Sequence, residues 1–373
     1  MADINEKRQL DLFKRLVETD SPSYNERQVA DLVKAELASM GISCDEDGAG
    51  ASLNGNTGNI FARIEGDVDA PALLFSSHMD TVEPSHGKKF VQGEDGIIRS
   101  DGTTVLGADD FAGVCSLLEA VHVIRENNLP HRTIELLFTP AEEVFCGGAE
   151  YFDYSRLQAK EAYVFDLDGD IGTACIAAPT IIKYTINFKG KSAHAGFASH
   201  LGVHAIKAAS AAVCAIECGQ VDEETTVNIG VISGGKATNI VPDECQIIGE
   251  VRSFNHEKAL QKAAEIKLVA EAEAAKIGAS IEYSSTCNTV AYSHSEDSSV
   301  CTRFVSACRA LGIEPKLEPS FGGSDNNSFA ANGVTGVVCS TAMYDCHTTA
   351  EWCKVEELHK SARLALQLML SKE

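Results

Sequence analysis

The stretch Leu73-Leu74-Phe75-Ser76-Ser77-His78-Met79-Asp80-Thr81-Val82 constrains the fold more than any other. Its apolar run predicts a buried strand, and its polar end puts His78 and Asp80 at that strand's carboxyl edge. Residues i and i+2 of an extended chain share one face, so both side chains can enter one pocket. Open α/β sheets bind ligands at the carboxyl ends of their strands. A His-x-Asp there is a candidate metal site, although such a motif taken alone is more often a solvated surface turn.

Later strand ends weigh against a surface turn. Ile134–Phe138 runs into Thr139-Pro140-Ala141-Glu142-Glu143, and Glu161–Phe165 runs into Asp166. Val334–Ser340 precedes a loop with Cys346-His347-Thr348. Asp168 competes with Asp166, but Asp166 directly ends the apolar strand. Asp109 and Asp110 precede a helical pattern from about Phe111 to Asn127, where either could serve as N-cap and leave the other free. Glu142 and Glu143 could likewise be surface charge. A sheet edge built for stability alone has no reason to gather His78, Asp80, Asp109, Glu142, Glu143, Asp166 and His347, whose acids repel one another. Imidazole and carboxylate ligands suit zinc, and a bridging carboxylate suits two metals about 3.5–4 Å apart.

A chain of 373 residues is expected to form two domains. Amphipathic helices are predicted over Asn5–Glu18 and Asn25–Met40, with a polar loop over Gly48–Gly58 and a helix near Ala149–Leu157. From about Thr180 the order becomes strand, helix, strand, strand, helix, strand, spanning Ile181–Lys189, Val203–Cys218, Thr226–Ser233, Glu244–Ser253, Glu257–Ile277 and Ser280–Ser285. We therefore expect an α/β fold in which residues 1–179 and 288–373 form a catalytic domain with a mixed central sheet and flanking helices. Residues 180–287 are expected to form an inserted α+β, ferredoxin-like lid or dimerisation domain. Its Ala-rich helix and open strand edges suggest a two-fold homodimer.

The formal charge of −23, from 54 acidic and 31 basic residues, argues against nucleic acid or an anionic membrane as partner. Thirteen scattered cysteines without a C-x-x-C pair indicate a reducing compartment. Met1–Lys7 has no signal-like apolar core, and no apolar run has the length of a membrane span. The expectation is a soluble, cytoplasmic protein.

At Ser77–Val82, Gly107–Asp110, Pro140–Glu143, Tyr163–Asp166, Ser192–Gly196 and Cys346–Thr348 the chain resembles the two-zinc exopeptidase family of peptidase T, glutamate carboxypeptidase and aminoacylase. It is most similar to the peptidase T-like aminopeptidases. The motifs follow the family's order across nearly the whole chain. The resemblance implies that His78 and Asp166 hold one zinc, Glu143 and His347 the other, and that Asp109 bridges them. Cobalt or manganese could take the same ligands. It further implies that Asp80 orients His78 and that Glu142 is the general base on a metal-bridging water. His194 would polarise the scissile carbonyl, either within its own chain or from a partner subunit. Asn239, Arg252, Gly323 and Asp325 would bind substrate. Asp rather than Glu at position 166 goes with the aminopeptidase branch, so the implied substrate is a short peptide with a free amino end, a tripeptide for example. The alternatives are an N-acyl amino acid deacylase, dipeptidase or carboxypeptidase on the same scaffold, and an inactive binding module. Where the family often has Gly soon after the paired glutamates, this chain has Val144-Phe145-Cys146.

Overall fold

The computed structural model describes residues 3–372; Met1, Ala2 and Glu373, which the expected domain limits include, lie outside the described residues. The chain divides into two compact units. One is drawn from Met1–Ala177, His294–Ser320 and Ser324–Glu373, the other from Ala178–Ser293 and Phe321–Gly323.

The first unit is built on a mixed sheet. Its centre is four parallel strands in the order Ile134–Thr139, Leu73–His78, Glu161–Asp168, Thr335–Tyr344. The first two are buried at every position, which is why they read as continuous apolar runs rather than as alternation. Antiparallel strands Ile60–Ile64 and Cys44–Glu46 extend one side. Trp352–Lys354, Ile97–Arg99 and Val91–Gln92 extend the other. The two parallel strands that follow Leu73–His78 in the chain flank it on opposite sides. Leu73–His78 therefore stands at a topological switch point, the position at which open α/β sheets hold ligands.

The helix Ala108–Asn127 passes behind this centre and is buried along nearly its whole length. It is apolar on all sides because helices Glu6–Val17 and Val355–Met369 pack over it. Gly113 marks its closest approach to the sheet: a Cβ there would meet the Phe165 carbonyl oxygen at 2.2 Å and Ser77 Oγ at 2.8 Å. The expected aspartate cap is not formed. Gly107 is the N-cap residue without a side-chain cap, and Asp109 and Asp110 have non-helical backbone angles. Both carboxyls are drawn away by tertiary partners.

Other departures are local. The polar loop contains a short helix, Ala49–Leu53, and the helix expected near Ala149–Leu157 resolves into Gly147–Glu150 and a 3-10 turn, Tyr154–Arg156. The strand Thr173–Ala178, unexpected from the sequence, pairs with Thr335–Tyr344. Among the described residues no helix is long and apolar enough to cross a membrane.

The second unit is a five-stranded antiparallel sheet in the order Gly219–Asp222, Thr225–Gly234, Glu244–Ser253, Thr180–Lys189, Ser280–Thr289. Helices Ala205–Ala215 and His256–Lys276 pack on one face through alanines such as Ala208, Ala209, Ala263 and Ala270, against Ile182, Tyr184, Ile186 and Phe188. Thr180–Lys189 alternates buried and more open positions, as a half-buried strand should. Gly219–Asp222 covers only the start of Thr225–Gly234. The rest of that strand is an open edge bearing exposed Val231 and Ile232.

Candidate metal centre

The carboxyl ends of the parallel strands bring His78, Glu142, Glu143, Asp166 and His347 to one edge, and the start of the buried helix adds Asp109. Asp109 lies between the two histidines. Its Oδ1 is 2.9 Å from His78 Nε2 and its Oδ2 is 3.2 Å from His347 Nε2. Asp166 Oδ1 lies 3.6 Å from His78 Nε2, and Glu143 Oε2 lies 2.9 Å from His347 Nε2. His78, Asp109 and Asp166 therefore form one group able to hold a cation, and Asp109, Glu143 and His347 form a second that shares Asp109. Asp168, two residues on, is exposed at the strand end.

The surrounding residues fix these side chains. The Asp110 carboxylate accepts the Ser77 hydroxyl and, at 3.2 Å, the His78 backbone N–H. Asp80 lies beside His78 Nδ1, with its backbone oxygen at 3.0 Å and its carboxylate at 3.3 Å. That carboxylate also accepts the backbone N–H groups of Glu142 at 2.9 Å and Glu143 at 3.2 Å, and the Ser23 hydroxyl at 2.7 Å. The sequence-based role for Asp80 reached only His78; the structure adds the Glu142–Glu143 turn.

The electrostatics are those of a site short of positive charge. Burial works against a charged His78, but Asp166, Asp109 and Asp80 outweigh it and raise its pKa well above the usual value. Hydrogen bonds to Asp109 and Glu143 hold His347 up at about 10. Asp109, despite burial, is pulled down by both histidines. Burial, aided by Asp109, pushes Glu143 up to about 7, and burial lifts Asp166 to about 6 against the pull of His78. Burial together with Asp166 raises Glu142 well above the usual range. Glu143 Oε1 is buried without a hydrogen-bond partner among the described residues. Crowded carboxylates, two imidazoles and an orphaned oxygen fit divalent cations, whose charge would relieve the repulsion.

Comparison with known proteins places this geometry. The family model described as the Peptidase dimerisation domain matches residues 176–278, and that described as Peptidase family M28 matches residues 59–213. The Bacillus subtilis protein YqjE, itself uncharacterised, is 36% identical over 366 residues, with 98% of each chain covered. The crystal structure of aminopeptidase PepT from Bacillus cereus is similar at 37% identity and TM-score 0.91, covering 98% of both chains. A tripeptidase from Staphylococcus aureus is similar at 34% identity and TM-score 0.95, again over 98% of both. The chain belongs to the peptidase T-like M20 peptidase family. As a member it is a metallopeptidase of the aminopeptidase class.

In this M20 peptidase the other sequence-derived positions fall in two places. His194, Asn239, Arg252 and Gly323 belong to the second unit. There the Asn239 carbonyl accepts the Ala195 N–H, and His194 pairs across with Ile240, so His194 and Asn239 are neighbours. His194 Nδ1 accepts the Gly196 N–H at 3.1 Å, which leaves Nε2 as the ring's donor, and the ring stacks on exposed Phe197. Arg252 is held by Glu250 and by the Phe321 carbonyl. Asp325 is in the first unit and nearly fully buried. It accepts the Thr139 hydroxyl and clusters with Glu142 and Cys146, away from an open substrate loop.

Residues the sequence did not single out complete the M20 centre. Glu351 accepts the backbone N–H groups of Leu106, Gly107 and Asp109. Glu26 accepts those of Tyr24 and Ala141, just before Glu142. Cys146 directs its thiol to Glu142 Oε1 at 3.4 Å. Glu351 stands four residues after His347, a helix-like spacing that gave no warning inside a loop. Glu26 has no local signal at all.

Proposed function

We propose that this M20 peptidase is a two-zinc aminopeptidase that removes the N-terminal residue from short peptides, tripeptides among them. The observation that carries this reading is the position of Asp109, one oxygen toward His78 and the other toward His347. His78 and Asp166 would hold one cation, Glu143 and His347 the second, with Asp109 shared. The donor set suits zinc and would also accept cobalt or manganese. The chemistry a bound pair supplies is Lewis acidity toward a peptide carbonyl and toward water.

The chain's own residues do the rest. Glu142 takes a proton from the attacking water and passes it to the leaving amine nitrogen. Its partly buried carboxyl, beside Cys146 and Asp325, is suited to hold that proton between the two steps. Asp80 fixes the backbone under Glu142 and Glu143. His194 donates from Nε2 to the oxyanion as it forms, and Asn239, Arg252 and Gly323 position the peptide. The active form would be a homodimer through the second unit, supported by the dimerisation-domain match and the open edge of Thr225–Gly234. Free thiols at all thirteen cysteines favour a cytoplasmic setting.

The test is a panel of tripeptides with free or acetylated amino ends, with every product identified. Release of the first residue from free-amine peptides alone supports the proposal. Cleavage confined to acylated substrates, or release of the C-terminal residue, overturns it.

A further inference from the structure

Glu351 sits where a plain loop residue was expected and is almost fully buried. Its Oε2 accepts the Leu106 N–H at 2.7 Å and the Gly107 N–H at 2.8 Å, while Oε1 accepts the Asp109 N–H at 3.0 Å. A buried carboxylate needs such donors, and a turn at the non-helical start of a helix needs acceptors. Each supplies what the other lacks. The backbone of Asp109 is thus gripped by a side chain 242 residues further along the chain.

The segment that carries Glu351 also carries His347. Asp345 and His347 both have left-handed backbone, at φ 52° and 63°, a conformation that non-glycine residues keep only when their surroundings impose it. The surroundings here are specific. The Trp352 indole N–H donates to the Asp345 carboxylate at 3.0 Å, and the Thr348 hydroxyl donates to the Asp345 carbonyl at 2.8 Å. The Trp352 ring stacks on Tyr344 with centroids 3.9 Å apart and planes 8° from parallel. The Glu351 N–H closes the segment onto the Thr348 carbonyl. One closed loop, Asp345–Trp352, therefore presents one histidine of the centre directly and holds the shared aspartate through Glu351.

We infer that Glu351 is a positioning residue for the metal centre: it locks the Asp109 turn to the His347 loop, so that two ligands of the second cation group are set by one segment. The inference rests on the two-cation reading above. The first group, His78, Asp109 and Asp166, shares only Asp109 with this device, whereas the second, Asp109, Glu143 and His347, depends on it twice. Replacing Glu351 with glutamine keeps its size but leaves one acceptor oxygen for three N–H groups. Its amide NH₂ must then face a backbone donor.

The experiment titrates zinc into metal-free wild type and Glu351→Gln against a chromophoric chelator, with circular dichroism confirming that each is folded. Trp352 is the sole tryptophan, so its fluorescence follows the loop itself. The expected result is a first zinc equivalent within about threefold of wild type and a second weakened by about 10–100-fold, the usual cost of losing a residue that orients ligands. The Trp352 signal should move with the second equivalent. Two unchanged affinities, whatever happens to thermal stability, would reduce Glu351 to a structural role and overturn the inference. Equal weakening of both equivalents would overturn the link to the His347 loop. A wild type that fails to bind two equivalents would instead sink the two-cation reading, and the inference with it.

If Glu351→Gln does not fold, the wild type still decides. Hydrogen exchange of the Leu106, Gly107 and Asp109 amides in the folded, zinc-free protein should be slow. Exchange at the rate of an open loop would contradict a lock that exists before metal arrives.

Discussion

Asp80 Oδ1 accepts the backbone N–H of Glu142 at 2.9 Å, while the same oxygen lies 3.3 Å from His78 Nδ1. One carboxylate therefore ties the proposed base to a proposed ligand. Asp80→Asn places an amide NH₂ against these N–H donors. It should weaken zinc binding by about 10–100-fold and also lower turnover at saturating zinc. Metal affinity and kcat both at wild-type values would remove Asp80 from the centre.

Glu142→Ala should lose nearly all turnover while keeping its metal, because Glu142 belongs to neither of the cation groups that share Asp109. A general base is worth about 10²–10⁴-fold, and the loss should reach at least that range. His194→Ala should keep its metal and lose about 10²–10³-fold. Mixing the two inactive proteins under subunit exchange should restore activity if His194 serves the partner's site. Exchange shown independently without recovery would confine His194 to its own chain.

Asp166→Ala should lower metal occupancy, and Asp168→Ala should not. Only the former lies beside His78, at 3.6 Å, and Asp168 is exposed. Metal analysis of both variants gives the answer, and the opposite pattern would move the ligand two residues along the strand.

Away from the centre, Glu36 lies between His122 and Arg15. The hydrogen bond with His122 does most to lower its pKa; burial opposes it, Arg15 adds to it, and the value falls from 4.5 to about 2. A carboxyl lowered in the folded state adds stability that is complete above its unfolded pKa and is lost as pH falls through the folded one. Glu36→Gln should therefore melt below wild type at about pH 6, and the gap should narrow as pH drops below about 4.5. A gap that stays constant down to about pH 3 would contradict this assignment.

The sequence showed the parallel strands clearly, because strands buried on both faces are written as apolar runs and their ends as abrupt acids. It showed the ferredoxin-like order of the second unit for a similar reason: its helices and most of its strands carry their own periodicity. The exposed run Ser284–Cys287 of Ser280–Thr289 lacks that alternation, and the strand runs four residues past its expected end. The aspartate cap failed because a local rule about helix starts lost to tertiary partners, Ser77 and His78 for Asp110 and the two histidines for Asp109. Glu26 and Glu351 were invisible because they act on backbone N–H groups far away in the chain, Ala141 and Leu106 among them. No spacing in the sequence encodes such a contact.

The central claim is that Asp109 is shared by two cations. Zinc titration of the metal-free protein, read as equivalents bound per chain for wild type and Asp109→Asn, tests it most directly. The account predicts two tight equivalents for wild type and the loss of tight binding at both in Asp109→Asn. Fewer than two equivalents in wild type, or two bound with unchanged affinity in Asp109→Asn, would contradict it.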